Sequence, residues 1–113
     1  MEENTIDTIT VKIAAQVIIF AGNARVILNE VVNAIEQNDF EKAESLIKKA
    51  ENEITKAHEI QTDVIQAEAR GDKLEMSLLL THAQDTLMSA NTEIRITYQM
   101  LRLYKSLRKE LTK

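Results

Sequence analysis

The chain has no cysteine, no proline and only two glycines, Gly22 and Gly71, in 113 residues. Without cysteine there is no disulfide framework, no thiol nucleophile and no zinc thiolate site, a composition in keeping with a reducing cytoplasm. With no proline and so little glycine, a strand-rich fold that needs many tight turns is disfavoured. A strong charge of one sign is missing too: the net charge is -4, with acidic and basic residues interleaved. No basic field is available to hold phosphate backbones, so nucleic acid is not an expected partner. The longest unbroken apolar run, Val17 to Gly22, is far too short to span a membrane. The first ten residues carry Glu2, Glu3 and Asp7 where an export signal needs positive charge. The expectation is a cytoplasmic chain, neither exported by that route nor inserted.

What remains is 44% hydrophobic residues, mainly Ala, Ile, Leu and Val, with no change of composition along the chain. This predicts one all-α domain over residues 1–113. Two punctuation marks divide it. In "EQNDFEKA", Asn38 can end one helix and Asp39 cap the next. In "EARGDKLEM", Gly71 can serve as a left-handed C-cap, Asp72 as an N-cap and Glu75 as its capping-box partner. The predicted helices are therefore 6–37, 40–70 and 73–111, joined by short links that make sequential helices antiparallel neighbours.

Apolar residues recur at helical spacing in each segment. The first has Ile6, Ile9, Ile13, Val17, Phe20, Ala24, Ile27, Val31 and Ile35, and the second has Phe40, Ala43, Ile47, Ala50, Ile54, Ala57 and Val64. Gly22 interrupts the first at a cost of about 1 kcal/mol in helix propensity, which suggests close packing or a neutral kink there. The third carries Met76, Leu80, Ala83, Leu87, Ala90, Ile94, Thr97, Leu101 and Tyr104 as its core seam. On its opposite side lies a second stripe of Leu74, Leu78, His82, Asp85, Ser89, Thr92, Ile96, Leu103 and Leu107. One helix of a three-helix monomer cannot bury both faces, so the second stripe predicts association with further copies of the chain.

That stripe holds two ionisable groups three residues apart, about 60° around the helix from one another. An imidazole attacks phosphorus and stores the phosphoryl group in a reactive bond, so His82 is the candidate nucleophile. Set against this is the commoner structural role of a lone helical histidine. His58, in "TKAHEIQTDV", lies in a more polar segment and reads as structural or surface-exposed. Asp85 on an association face would meet its own copies, whose charges a shared cation or shared protons must neutralise. Oxygen-only ligation suits magnesium better than zinc. The sequence has no HExxH, EF-hand loop, P-loop or Ser/His/Asp set in a plausible arrangement.

"THAQDTLM" (Thr81 to Met88), with "AGNAR" (Ala21 to Arg25), "QNDFEKAESLI" (Gln37 to Ile47) and "AHEIQTDVIQAEARGD" (Ala57 to Asp72), resembles the lactose/cellobiose-type enzyme IIA of the bacterial sugar phosphotransferase system (PTS). The resemblance covers nearly the whole chain. It implies an antiparallel three-helix bundle that assembles as a homotrimer of nine helices. It places the phosphorylated histidine at His82 and the metal-binding aspartate, one per subunit on the threefold axis, at Asp85, with a divalent cation, Mg2+, as cofactor. It further implies that phospho-HPr is the donor and a cysteine of the IIB component the acceptor, with the membrane component IIC reached only indirectly. Many relatives read His-Ala-Gln-Asp-His; here Thr86 replaces the second imidazole, and nucleophile and metal ligand are retained. The transported sugar, a β-linked disaccharide or β-glucoside, is read elsewhere.

Two other readings compete. A histidine-phosphotransfer domain of a two-component relay would use His58 in "AHEIQT", although Gln61 and Thr62 stand where such domains usually place lysine and glycine. A helical adaptor without catalysis explains the periodicities but leaves His82 and Asp85 without a role.

Overall fold

A computed structural model describes residues 5–72 and 77–113, with side chains from residue 9 onward in the first segment. Three helices follow in chain order: α1 (Thr5–Glu36), α2 (Phe40–Ala69) and α3 (Leu78–Leu111). They lie side by side in a bundle 70 Å long and 25 × 19 Å across. Contacts fix their directions. Asn23 meets Glu53 and Phe20 meets Lys56, so α1 and α2 are antiparallel. Arg25 meets Glu93 and Asn38 meets Tyr104, so α1 and α3 run parallel.

The link between α1 and α2 is a left-handed cap. Asn38 takes φ 60°, the Asn38 N–H donates to the Ile35 carbonyl, and the Asp39 N–H donates to the Ala34 carbonyl. These two bonds satisfy the last carbonyls of α1. The Asp39 carboxylate then accepts from the Lys42 N–H at 3.2 Å and starts α2. Residues 38 and 39 thus act as the sequence predicts. At the other link Gly71 does adopt the left-handed conformation, with φ 93°.

The predicted N-cap at Asp72 is corrected. The Asp72 N–H donates to the Ala67 carbonyl, and its carboxylate pairs with Arg70 at 3.0 Å, so this residue completes the end of α2. The cap of α3 is Ser77, whose hydroxyl accepts from the Leu80 N–H at 3.0 Å. Glu75, the predicted capping-box partner, lies outside the described residues.

The core stripes of α2 and α3 fall where periodicity puts them, with Phe40, Thr97 and Tyr104 half-buried at their ends or edges; Met76 lies outside the described residues. Ala43, Ile47, Ala50, Ile54, Ala57 and Val64 on α2 are buried, as are Leu80, Ala83, Leu87, Ala90, Ile94 and Leu101 on α3. The α1 stripe holds in part. Val17, Ala24 and Val31 are buried as predicted, but Ile9 is 46% exposed, the other buried positions are Thr10, Ala14, Ala21, Leu28 and Ala34, and Ile13, Phe20, Ile27 and Ile35 pack only at the edge; the side chain of Ile6 lies outside the described residues. Several isoleucines and Phe20 of α1 thus sit on the shoulders of a seam in which alanine, whose short side chain lets neighbouring helices approach closely, alternates with Val17, Leu28 and Val31. A Cβ at Gly22 would meet nothing within 4 Å, so close packing does not explain that glycine.

By length and composition alone, Ile9–Glu36 is apolar enough to cross a bilayer. In the fold its buried residues supply the centre of the bundle, the ordinary place for an apolar helix in a globular domain.

Candidate functional site

His82 lies on the second turn of α3, just beyond the Ser77 cap, and its side chain is exposed. The flanking residues Leu80 and Ala83 point into the core and fix the helix rotation that turns His82 outward. Asp85 is exposed on the same outer face. Around them are Leu78, 86% exposed, and the half-buried Thr86 and Ser89. The outer stripe continues along the helix through Ile96, Leu103 and Leu107, all at least half exposed. The second face inferred from periodicity is therefore open in the single chain; Leu74 lies outside the described residues.

A basic residue completes the charge pattern. Arg25, from the middle of α1, reaches α3 and holds Glu93 in a two-pronged grip at 2.9 and 2.6 Å. Hydrogen bonding to Arg25 holds the Glu93 carboxyl below its ordinary range, against the opposing effect of partial burial. The same bonds raise the Arg25 guanidinium above its usual value, and the charges of Glu93 and then Asp85 add to the effect. Arg25 thus lies in the field of Asp85 while bonded to Glu93. "AGNAR" draws attention to Arg25 in the sequence, but its partner is 68 positions away and nothing local signals it.

Elsewhere the charged groups serve the helix seams. The Glu53 carboxyl is lowered first by its hydrogen bond from Lys56 and then by that from Asn23 across the α1–α2 seam. Lys105 lowers Glu44 in the same way across the α2–α3 seam.

His58 is not brought to His82. It sits exposed on α2 beside Asn91 and Arg95 of α3, in the groove between the two helices. Asn91 is nine residues beyond His82, or about 13 Å along the helix axis.

Among the described residues no three His, Cys, Asp or Glu side chains converge on one point. Asp85 supplies a single carboxylate, whereas magnesium and calcium are held by several oxygens. The described donors of one chain therefore do not fit a divalent cation by themselves.

The class defined so far is a helical bundle with a solvent-facing histidine and aspartate on a face left open for further copies or partners. Comparison with known proteins is specific. The profile described as "PTS system, Lactose/Cellobiose specific IIA subunit" matches residues 12–105. The chain is 40% identical over 96 residues to the lichenan-specific phosphotransferase enzyme IIA component of Bacillus subtilis, covering 85% of this chain and 87% of that protein. The crystal structure of the cellobiose-specific enzyme IIA from Bacillus anthracis superimposes with a TM-score of 0.85 at 38% identity, over 96% of this chain and 95% of the other. The chitobiose IIA of Escherichia coli, solved in complex with HPr, superimposes with a TM-score of 0.76 at 26% identity, over 96% and 99%. The chain belongs to the lactose/cellobiose-specific IIA family of the sugar phosphotransferase system, and is a phosphotransferase component of that type.

Proposed function

We propose that the chain carries a phosphoryl group on His82 between HPr and a IIB component during uptake of a β-linked disaccharide or β-glucoside. The observation that carries this reading is the position of His82, exposed on the outer face of α3 and held there by buried neighbours, in a chain of the IIA family. A nitrogen of the neutral imidazole attacks the phosphorus of phosphohistidine on HPr. The phosphorus–nitrogen bond to HPr breaks as the bond to His82 forms, and the HPr imidazole leaves as the free base. In the second step a cysteine thiolate of IIB takes the phosphoryl group and His82 is regenerated. The relative solved with HPr supports the first partner. The reaction takes place in the cytoplasm, and IIC enters only through IIB.

The working unit is a homotrimer whose subunits join through the outer stripe of α3. Covering Leu78, Ile96, Leu103 and Leu107 removes apolar area from water. On the threefold axis three Asp85 carboxylates would hold one divalent cation, magnesium by its preference for oxygen. When bound, the ion offsets the mutual repulsion of the carboxylates; the transfer chemistry belongs to His82.

Intact-mass measurement after incubation with phosphorylated HPr tests the assignment. The unmodified chain and His58→Ala should each gain one phosphate per subunit, and His82→Ala should gain none while remaining folded. A phosphate on His82→Ala overturns the assignment.

A further inference from the structure

The geometry points to the last turns of α3 as a docking surface for an anionic membrane. Charges of both signs alternate along most of the chain, and in one place they do not. From Arg95 to Lys109 there is no acidic residue, and from Arg102 to Lys113 there are five basic residues against Glu110 alone. Residues 1–101 hold seventeen of the eighteen acidic residues and nine of the fourteen basic ones. A strongly basic stretch thus adjoins an acidic body.

The fold sets this stretch apart from that body. Tyr104 donates to Asn38 in the α1–α2 link at 3.1 Å and packs edge-on against Phe40, the first residue of α2. Beyond that level α3 runs on for seven residues to Leu111, about 10 Å along its axis. Because α1 ends at Glu36 and α2 begins at Phe40, neither accompanies it, and residues 105–113 are exposed apart from the half-buried Arg108. Glu44 pairs with Lys105 at 2.8 Å, and Glu110 lies 3.5 Å from Lys113. At about 100° per residue, Arg102, Lys105, Lys109 and Lys113 fall within about 80° of one another, roughly opposite Leu103, Leu107 and Leu111. The basic side therefore stays outward when further copies cover those leucines in the assembly proposed above.

Shape and charge define the partner. Cationic side chains on a convex helix offer no cleft to select one acidic protein, whereas a bilayer with anionic headgroups presents its charge at every lateral position and needs none. Each lysine or arginine brought to such a surface adds to the attraction. With the end of α3 towards the bilayer, the overhang of about 10 Å exceeds the Debye length of about 8 Å at physiological ionic strength. The acidic body, including Glu36, Asp39 and Glu41 beside the link, then stands back beyond the strongest repulsion. His82 is 29 residues from Leu111, or about 44 Å along the helix, and faces away from the membrane. That this leaves it open to a soluble phosphoryl donor rests on the function proposed above. The docking does not.

The test is sedimentation of the unphosphorylated protein with phospholipid vesicles, without HPr. Vesicles of phosphatidylcholine alone are compared with vesicles in which about a third of the lipid is phosphatidylglycerol, at low and at physiological salt. The expected result is binding to the anionic vesicles only, weakened at least about threefold by the added salt. A double variant, Arg102→Gln with Lys109→Gln, changes two exposed positions. It should keep its helical spectrum, accept phosphate on His82 as the unmodified chain does, and bind anionic vesicles about tenfold or more weakly. Absence of binding at low salt, equal binding to neutral vesicles, or undiminished binding by the double variant would each overturn the proposal. So would retention on immobilised polyglutamate without binding to vesicles, which would assign the surface to an acidic protein. Phosphate acceptance is measured by mass without lipid, so either idea can fail while the other stands.

Discussion

The two faces of α3 share one helix and one spacing of apolar residues, yet they differ completely in burial. On the inner face Leu80, Leu87, Ile94 and Leu101 are buried against α1 and α2. On the outer face Leu78, Ile96, Leu103 and Leu107 stand in solvent, and His82 and Asp85 stand among them. The inner face is finished by the fold of one chain. The outer one is left open among the described residues of a single chain. The ionisable groups His82 and Asp85 therefore occur on the face that stays in solvent, and not in the monomer core.

Breaking the inner face should have the largest effect. Leu87 is fully buried, so Leu87→Ala leaves a cavity and should lower the free energy of unfolding by about 2–5 kcal/mol. Urea denaturation measures the loss, and a change within about 0.5 kcal/mol, as at an ordinary surface position, would contradict the core assignment.

An outer-face substitution should separate association from folding. Ile96→Lys adds a charge that solvent accommodates in the single chain but that lacks a partner in an assembly. Helical content should be preserved while sedimentation shows smaller species than the unmodified chain. An unmodified chain that sediments as a monomer at micromolar concentration would remove the reason for the contrast.

How far this division can be read from sequence depends on the element. In α3 the inner face is legible because apolar residues recur along it by threes and fours, and the outer one because Leu78, Ile96, Leu103 and Leu107 return on the opposite side of the helix to either end of a polar stretch; in α2 alanine alternates with isoleucine on one side. In α1 nearly every turn offers an isoleucine or valine on more than one side, and burial favours Thr10, Ala14 and Ala21 over Ile9. Size does not reveal which positions face a seam that Ala14, Ala21 and Ala24 share with Val17, Leu28 and Val31. The cap at Asp39 is a local feature and was readable as such. The start of α3 at Ser77 was not, because Asp72 carries the same capping chemistry, and it is its bonds to Ala67 and Arg70 in the last turns of α2 that commit it there. His82 and Asp85 could be picked out as polar breaks in an apolar stripe. The Arg25–Glu93 contact depends on the parallel register of α1 and α3, which no local pattern encodes.

Asp85 offers a subtler way to sharpen the contrast, since it bears on how the outer face is stabilised. If three carboxylates share a cation, a chelator should lower the melting temperature of the unmodified assembly. Asp85→Asn removes both the ion and the repulsion it offsets, so its melting temperature should be insensitive to chelator and could lie above that of the unmodified protein. Equal chelator sensitivity in the variant would exclude Asp85 as the ligand.

The smallest expected effect concerns the ion pair at the boundary between the two faces. Arg25 lowers the Glu93 carboxyl, so over the acid range the folded chain binds fewer protons at this position than the unfolded chain. The stabilisation is therefore present above the ordinary carboxylate value and is lost as pH falls through the depressed one. Both side chains are 43% exposed, and solvent screening limits the contribution to about 0.2–1 kcal/mol despite the two-pronged geometry. Glu93→Gln should be less stable than the unmodified chain by that amount at neutral pH, and the difference should shrink towards zero on acidification. The variant also releases Arg25 from Glu93 and leaves Asp85 as the other carboxylate whose charge Arg25 feels. Urea titrations at neutral and acid pH, run at one protein concentration, give the difference directly. A deficit that persists unchanged in acid would mean that Glu93 acts through packing and not through its charge.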